Sequence, residues 1–503
     1  MNFNQEKYKQ LCKTCNSILD EFSNNILVSS HPWLNVLNEH PTTLEKYSSL
    51  WKERGAIKNL LRKEIVFFIF YLFFKLIFSI FSFSSYNQKK KSRPKKEVIF
   101  LSHLFKQDQI EEKEDFYFGK MPHLLNKFEI TSQIIFQNHL RIPTFFFKKK
   151  IIEKSEGQKT MLDEPSFSIY LISLIELVKA HLQIKNQISK HTEFFVKRVL
   201  KEASIRTFSI DFYKALIFNH QIKKTLAQIN PKIIITTLEG HPREKMLFFH
   251  ARELDRKTLC IGYQHTILFP KQNSIFHYPN TNYMPNMIFT PGKINNEVML
   301  RSFSQDKKIQ IVNVGSHRIY KPKKSKEPKR LNKNCLILPD GNLEDLKKFS
   351  QFISQINDED LNFIIRLHPA FSLLELQKKY KLFLNCPRNI SFSKEKDINE
   401  DFKKSSWAVY RGSGAIIYAI QNGLRPIYLR PLDESLSIDP LYKISKGKKI
   451  ISTYLDLKNI INLDKGLSIS ELNRQLEEIK RYNFDFFEPL NFPKILSKFK
   501  KYL

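Results

Sequence analysis

Short runs of apolar residues alternate along most of this chain with longer segments in which apolar residues recur every three or four positions. Runs of four to eight apolar residues predict buried strands, and the three-to-four spacing predicts amphipathic helices. The alternation begins at Val98 and continues to about residue 470. Such an alternation of strands and helices predicts parallel sheets covered by helices on both faces.

Two series of this kind follow one another, and a basic, proline-containing stretch over residues 316–334 separates them as a predicted linker. The sequence therefore predicts two Rossmann-like α/β domains, over residues 97–310 and 335–470, with a helical tail over residues 471–503. The predicted strands are Val98–Ser102, Lys232–Thr237, Thr258–Tyr263, Met287–Thr290, Cys335–Leu338, Asn362–Leu367, Trp407–Tyr410, Arg425–Leu429 and Lys449–Ser452.

The clearest strand–turn–helix–strand unit is the stretch Trp407–Leu429. Gly412-Ser413-Gly414 breaks an apolar run, and apolar residues then fall at helical spacing as far as a C-cap position at Gly423. Backbone N–H groups exposed at such a turn favour an anionic group such as a phosphate. The alternative is a tight turn in which the serine caps the helix and no ligand binds.

The first 64 residues show a polar, helical pattern, and a hydrophobic helix is predicted over residues 65–86. Its most apolar part, Ile65–Phe83, is about long enough to cross a bilayer. Basic residues flank both ends, however, and a narrow polar stripe that includes Tyr71 and Lys75 runs along one face. A helix lying in the headgroup layer of an anionic membrane explains both features. A spanning helix and a buried core helix are the alternatives.

Composition adds a strong positive charge, because 82 Lys and Arg residues outnumber 50 Asp and Glu residues and give a formal net charge of +32. This balance favours anionic partners such as nucleic acid, an acidic membrane face or phosphorylated substrates. No zinc-finger spacing, RNA-binding aromatic pair or basic heptad region stands in the sequence, so nucleic acid is not an expected partner. Five cysteines in 503 residues do not make a disulfide framework, which fits a reducing cytoplasm.

Polar clusters stand at the carboxyl ends of several predicted strands, which is where open α/β sheets bind their ligands. They predict a cleft between the domains, with nucleotide phosphates on the second domain and chemistry on the first. The candidate residues are Glu239, His241 and His265 in the first domain, and Asp340, Gly341, Arg366, His368, Pro369, Arg411, Gly412, Ser413 and Gly414 in the second.

Each cluster also has a purely structural interpretation. Glu239 can be a solvated loop carboxylate or the partner of Arg243 rather than a general base. His368 can cap the next helix, with Pro369 at its first position, instead of donating to a phosphate. The histidines of the first domain lack the short, fixed spacings of metal sites, so no metal ligand is predicted.

These motifs resemble those of the two-Rossmann glycosyltransferases called GT-B. More narrowly, they are similar to bacterial surface-carbohydrate and capsule-synthesis transferases, which share motifs with bacterial sialyltransferases and Kdo transferases. The resemblance covers roughly residues 97–470. It rests on Glu239-Gly240 after a strand, Gly262-Tyr263-Gln264-His265, Arg366-Leu367-His368-Pro369 and Tyr410-Arg411-Gly412-Ser413-Gly414.

The resemblance implies a role for each matching residue. Glu239 would activate the acceptor hydroxyl, while His368-Pro369 and Ser413 would bind the nucleotide of a CMP-sugar. The chain departs from the family pattern in having one carboxylate in its acidic motif, Thr266 where relatives carry Gly, and Gly-Ser-Gly in place of paired serines. These departures leave the donor open.

The resemblance and the hydrophobic helix together imply a metal-independent glycosyltransferase at the cytoplasmic face of the inner membrane, peripheral or monotopic. Its donor would be a nucleotide-sugar, preferably CMP-linked. Its acceptor would be a glycan or lipid-linked precursor of a surface polysaccharide, capsule or lipopolysaccharide, and its other partner an anionic membrane surface. No cofactor is expected. The alternatives are a CDP-alcohol-dependent polyol-phosphate transferase of wall polymers and a non-catalytic membrane-bound scaffold.

Overall fold

Two sheets of parallel strands form the framework of the protein. The computed structural model describes residues 5–36, 41–51, 64–77, 79, 95–140, 151, 157–304, 308–318, 331–356, 360–368, 371–434 and 436–503. Every strand pairing within these ranges is parallel. The predicted fold class, two α/β domains preceded by a helical region, is confirmed.

The first domain contains a seven-stranded sheet. Its strands are β1 (Val98–Leu104), β2 (Ser132–Asn138), β3 (Lys159–Met161), β4 (Ile233–Thr237), β5 (Leu259–Tyr263), β6 (Met287–Thr290) and β7 (Gln310–Asn313). Their order in the sheet is β3-β2-β1-β4-β5-β6-β7. The direction of the strand order reverses between β1 and β4, so a crevice opens at the carboxyl ends of these two strands.

The second domain contains a six-stranded sheet. Its strands are β8 (Asn334–Leu338), β9 (Asn362–Ile365), β10 (Ile390–Phe392), β11 (Trp407–Tyr410), β12 (Arg425–Leu429) and β13 (Lys449–Ile451). Their order is β10-β9-β8-β11-β12-β13, and here the reversal lies between β8 and β11. The second switch point therefore stands at the glycine turn that follows β11.

Helices cover the sheets and build the region before them. In the first part of the chain they are α1 (Gln5–Glu21), α2 (Ile26–Ser29), a 3₁₀ helix (Pro41–Trp51), α3 (residues 64–77), α4 (Met121–Lys127), α5 (Phe167–Gln187), α6 (Phe194–Arg206), α7 (Ile210–Ile229), α8 (Pro242–Leu254) and α9 (Lys293–Ser302). In the second part they are α10 (Leu343–Ile353), α11 (Leu373–Tyr380), α12 (Ile398–Lys404), α13 (Ala415–Gln421), α14 (Tyr454–Gly466), α15 (Ile469–Phe486) and α16 (Phe492–Phe499).

The C-terminal part of the chain forms α15 and α16 and returns to the first domain. The Glu488 carboxylate accepts hydrogen bonds from the Lys293 backbone N–H and the Asn313 side-chain amide, both at 2.9 Å. Beyond this point α16 places Ile495 and Phe499 in the same buried core as the first sheet. The first domain is therefore completed by residues from the far end of the chain.

The apolar segment predicted over residues 65–86 is helical where α3 is described. Phe68 is buried and meets the ring of Tyr213 edge-on at 5.9 Å, and Tyr71 meets the same ring at 6.4 Å. The side of α3 that carries Tyr71 thus faces the protein, and phenylalanines on the other side are exposed. This exposure excludes the buried core helix, while location in a membrane interface stays a prediction.

We expect Ile495→Ala to destabilise the first domain. Ile495 is fully buried between α16 and the first sheet, and removing such a side chain from a packed core costs roughly 2–5 kcal/mol. Urea unfolding monitored by circular dichroism measures this loss. Lys494→Ala on the exposed side of the same helix is the control, and an equal effect of the two substitutions would contradict the assignment of α16 to the core.

Candidate active site

The loop after β4 carries Glu239, and Gly240 fixes its shape. Gly240 has a φ of +87°, which strains any residue with a side chain, and a Cβ at this position would lie 2.5 Å from the Ile275 backbone nitrogen. His241 follows, and Pro242 occupies the first position of α8. The backbone therefore holds Glu239 at the carboxyl edge of the sheet, beside the switch point.

Two histidines contact the Glu239 carboxylate. His241 Nε2 lies 3.0 Å from one carboxylate oxygen, and His265 Nε2 lies 3.4 Å from the other. Burial acts to raise the pKa of Glu239, but the His241 hydrogen bond and nearby positive charge, including that of Arg243, outweigh it and lower that pKa. Burial lowers the pKa of His265 to about 4, so this imidazole is neutral near pH 7. The three predicted residues thus form one cluster around an ionised carboxylate.

Two further histidines complete this cluster, and sequence analysis missed both. His103 near the end of β1 lies 3.0 Å from Thr237 Oγ1 through Nε2, and 3.1 Å from His139 Nε2 through Nδ1. Burial lowers the pKa of both imidazoles, that of His139 to about 3. The available signal was a histidine inside the apolar run of β1, but its meaning depends on β1 and β4 being neighbours at the switch point.

Glu244 holds the Glu239 loop through hydrogen bonds to its backbone. Its two carboxylate oxygens accept the backbone N–H groups of Glu239 at 3.0 Å and of Gly240 at 2.9 Å, and 2 % of the residue is exposed. Burial raises the pKa of Glu244 to about 7, against the lowering effect of the His241 charge. Burial also lowers the pKa of the adjacent Lys245 to about 7. Glu244 is therefore a positioning residue, and its carboxyl group changes protonation near neutral pH.

On the second domain, the turns after three neighbouring strands converge. A Cβ on Gly341 would lie 2.8 Å from His368 Nδ1, and a Cβ on Gly412 would lie 3.3 Å from Asp340 Oδ2. Gly412 has a φ of +71°, which explains the glycine. The structure thus brings these four predicted residues together at the β8–β11 switch point, while Pro369 lies outside the described residues.

Two arginines predicted as nucleotide ligands are engaged within the protein instead. Arg411 is buried and pairs with Asp345 and with Glu434, the latter at 3.0 Å. Arg366 Nη1 lies 2.6 Å from Asp401 Oδ2. Because a buried charge must be paired, these contacts give the Arg411 guanidinium a structural role, while Arg366 is half-buried and paired with Asp401. Neither is placed as the phosphate ligand that its position in the sequence suggests.

A loop of the first domain reaches from the Glu239 cluster to the glycine turn of the second domain. Ile267 stands two residues after His265 and packs among the apolar residues of α13, and a Cβ on Gly414 would lie 3.4 Å from its Cδ1. The Asn295 side-chain amide holds this loop by donating to the Thr266 carbonyl at 2.7 Å. The carboxyl edges of the two sheets therefore face each other across one cleft.

A cavity of about 640 Å³ lies between the domains beside this cluster. Its lining includes Arg318 and Tyr418, and the Tyr418 hydroxyl donates to the Arg318 carbonyl at 3.2 Å. The ring of Tyr117 connects the cavity to the cluster, since it lies 4.9 Å from the ring of His265 and 5.9 Å from the Arg318 guanidinium. The volume falls within the usual range of small-ligand sites, roughly 300–1,000 Å³.

Within the described residues, no group of three or more His, Cys, Asp or Glu side chains is arranged to hold a metal ion. The histidines near Glu239 instead contact each other or the carboxylate, and His250 on α8 pairs with Asn219 at 2.7 Å. These residues therefore do not form the ligand set of a zinc site. Metal-independent chemistry stays a prediction.

The chain is similar to several known structures in overall fold only. No family model and no curated protein matches the chain. Among solved structures, it is similar to the UDP-GlcNAc 2-epimerase of Methanocaldococcus jannaschii in complex with UDP-GlcNAc and UDP (13 % identity, 81 % of this chain, 99 % of that chain, TM-score 0.46). It is also similar to the calicheamicin glycosyltransferase CalG4 (9 %, 81 %, 98 %, 0.43) and the lipopolysaccharide outer core galactosyltransferase WaaB (9 %, 81 %, 99 %, 0.42). Likenesses this distant do not identify the reaction, which must be inferred from the residues of this chain.

We expect Glu244→Gln to flatten the dependence of stability on pH. A carboxyl group whose pKa rises from 4.5 to about 7 on folding binds more protons in the native state than in the unfolded state between these values. Wild-type stability should therefore fall as the pH rises from about 4.5 to about 7, by up to ~3 kcal/mol from this group. Urea unfolding at several pH values measures the slope.

The control is Glu253→Gln, which changes an exposed carboxylate on the same helix. Lys245 has a lowered pKa of about 7, so its own contribution appears above the measured range. Equal slopes for wild type and Glu244→Gln would show that folding does not raise the pKa of Glu244.

Proposed function

We propose that this chain is a glycosyltransferase that moves a sugar from a nucleotide donor, preferably a CMP-sugar, to an acceptor hydroxyl of a surface glycan. The observation that carries the proposal is the meeting of two sites across one cleft. The Glu239 cluster stands at the switch point of the first sheet, and the Gly412 turn stands at that of the second. Group transfer between two substrates needs a base and a leaving-group site held on opposite sides of the reacting atoms.

Glu239 is the general base of this proposal. Its lowered pKa keeps it ionised at neutral pH, and 23 % of its side chain is exposed, so an acceptor hydroxyl can reach it. The hydroxyl proton passes to the carboxylate as the oxygen attacks the anomeric carbon and the bond to the nucleotide phosphate breaks. Since a carboxylate of low pKa is a weak base, the reaction depends on close positioning of the substrates within the cleft.

The second domain holds the nucleotide in this proposal. The backbone N–H groups of residues 412–414 and the imidazole of His368 supply donors to the departing phosphate. The absence of a side chain on Gly412 allows close approach to the backbone. Arg411 supports the turn through its buried pair with Asp345 and does not contact the donor.

We expect Glu239→Gln to lower the rate of sugar transfer by roughly a hundredfold to ten-thousandfold, because the amide cannot accept the acceptor's proton. Nucleotide affinity should stay near wild type, since the nucleotide contacts lie on the other domain. Transfer is measured by release of free nucleotide under saturating donor, and affinity by calorimetry. Glu253→Gln serves as the exposed carboxylate control.

A wild-type rate for Glu239→Gln would contradict this mechanism. His241→Gln and His265→Gln then identify whether one of the contacting imidazoles is the base.

We expect Ser413→Ala and His368→Ala each to weaken nucleotide binding by about tenfold or more, since a hydrogen bond to a charged group contributes roughly 1.5–3 kcal/mol. Calorimetric titration with the nucleotide measures the change, and Ser354→Ala at the exposed C-cap of α10 is the control. Gly412→Val is a poor test, because its positive φ and its contact with Ile438 would strain the fold without any ligand. Unchanged affinity in both variants would make these turns purely structural.

A thermal-shift screen with CMP, CDP, UDP and GDP identifies the nucleotide, because a bound ligand raises the unfolding midpoint by mass action. Release of CMP with sugar transfer supports the proposal. Consumption of a CDP-alcohol with transfer of a polyol phosphate identifies the first alternative. Nucleotide binding without any turnover identifies the non-catalytic scaffold.

A further inference from the structure

Two helices of the N-terminal half present large apolar side chains to solvent. On α3 they include Phe67 at 68 %, Phe70 at 58 % and Phe74 at 66 %. On α5 they include Leu171, Ile175 and Leu182, which recur every four, seven or eleven residues and so share one side of the helix. We call these six side chains the α3–α5 surface.

Helix α5 is apolar on both of its sides. Tyr170, Leu177 and Ile184 bury its inner side against the protein, while the members of the α3–α5 surface occupy its outer side. A helix that is apolar all round is normally enclosed by protein or lipid. By length and composition, Phe167–Lys190 is also the one helix of the described residues that could cross a membrane.

Both helices pack on the same residue, Tyr213 of α7. Tyr213 of α7 donates its hydroxyl hydrogen to the Tyr170 carbonyl of α5 at 2.9 Å and meets Phe68 of α3 edge-on at 5.9 Å. Tyr213 therefore links the inner sides of α3 and α5, and the exposed apolar side chains lie on the outer sides of these two helices. Isolated exposed apolar residues are ordinary on protein surfaces, but a patch built from two adjacent helices indicates a binding surface.

Charges of both signs lie near this region, since Glu64 on α3 pairs with Arg206 and both Glu164 and Asp211 lie near Tyr71, but the sequence on both sides of α3 is strongly basic. The sole carboxylate of α5, Glu176, hydrogen-bonds to His220 at 2.8 Å, while Lys179 and Lys185 of the same helix are exposed. In the sequence, five basic residues stand within residues 52–63 before α3 and six within residues 89–96 after it. An apolar surface with basic residues beside it matches an anionic lipid bilayer.

One lysine of α7 lies near both α3 and the candidate active site. Lys214 Nζ on α7 lies 5.8 Å from the ring centre of Tyr71 on α3. The Lys214 charge, in addition to burial, lowers the pKa of His139. The His139 ring contacts His103 in the Glu239 cluster. Lys214 therefore lies near both the inner side of α3 and His139.

We infer that the α3–α5 surface docks onto an anionic lipid bilayer, with its apolar side chains among the acyl chains and the neighbouring lysines at the headgroups. A second copy of the chain is a poorer occupant, because dimerisation through this region would bring two sets of basic residues together in a protein of net charge +32. This placement also deepens the function proposed above and rests on it. With the surface on a bilayer, the acceptor that reaches the Glu239 site would be carried by a lipid.

Flotation of the full-length protein with lipid vesicles tests this inference. Wild type should bind vesicles of phosphatidylcholine mixed with phosphatidylglycerol more tightly than vesicles of phosphatidylcholine alone, and added salt should weaken the binding. Each phenylalanine transferred into lipid contributes on the order of tenfold to partitioning, so a triple substitution on α3 should lower it by roughly a hundredfold or more. The variants are Phe67→Ser/Phe70→Ser/Phe74→Ser, Leu171→Ser/Ile175→Ser/Leu182→Ser, and the control Leu432→Ser/Leu455→Ser/Leu463→Ser at exposed positions of the second domain.

Both surface variants should lose vesicle binding with an unchanged unfolding midpoint, while the control binds as wild type. Absence of flotation by wild type, or retained binding by either surface variant, would overturn the inference. A wild-type dimer that the α3 variant converts to monomer without loss of lipid binding would identify a second copy as the occupant and also overturn it. Vesicle binding needs neither donor nor acceptor, so its failure leaves the glycosyltransferase proposal untouched.

Discussion

Parallel pairing of every described strand is the constraint on which the rest of this structure depends. Parallel sheets bury both faces beneath helices, so polar chemistry is confined to the ends of the strands. At the carboxyl ends, the reversal of strand order separates neighbouring connections and opens a crevice. His103 and Thr237 flank this point on the first sheet, and Asp340 and Gly412 flank it on the second. The candidate site thus follows from topology before any side chain is considered.

Much of the charge near the cleft is used to hold its walls. The Arg411 pair with Asp345 is fully buried, and Glu244 uses both carboxylate oxygens to fix the backbone at Glu239. Removing one partner of such a pair leaves a buried charge uncompensated, which is far more costly than losing a surface ion pair. Residues of this kind keep the walls rigid, and a general base needs such rigidity because it must meet a hydroxyl at hydrogen-bond distance.

The sequence was sufficient for the fold class and for most strands, because continuous apolar runs such as Ile233–Thr237 have few other interpretations. It also placed Glu239, His241 and His265 at strand ends, where the structure brings them into contact. The sequence could not show whether Arg411 binds a phosphate or forms an internal ion pair, because its partner Asp345 lies 66 positions earlier in the chain. His103 was missed for the same reason: its neighbours come from other strands, and one chain's local pattern does not encode pairing order.

The charges in the cleft also bear on which domain would bind each substrate of the proposed reaction. Burial lowers the pKa values of His103, His139 and His265, while the Glu239 carboxylate, which His241 and His265 contact, has a lowered pKa and stays ionised. The negative charge therefore stands on the first sheet, while the glycine turn of the second sheet offers backbone N–H groups. In the proposed transfer, the sugar carbon between the incoming hydroxyl and the departing phosphate becomes positive. The Glu239 carboxylate would stabilise this carbon, and the backbone N–H groups of the glycine turn would stabilise the phosphate. In the proposed reaction this polarity places the acceptor on the first domain and the nucleotide on the second.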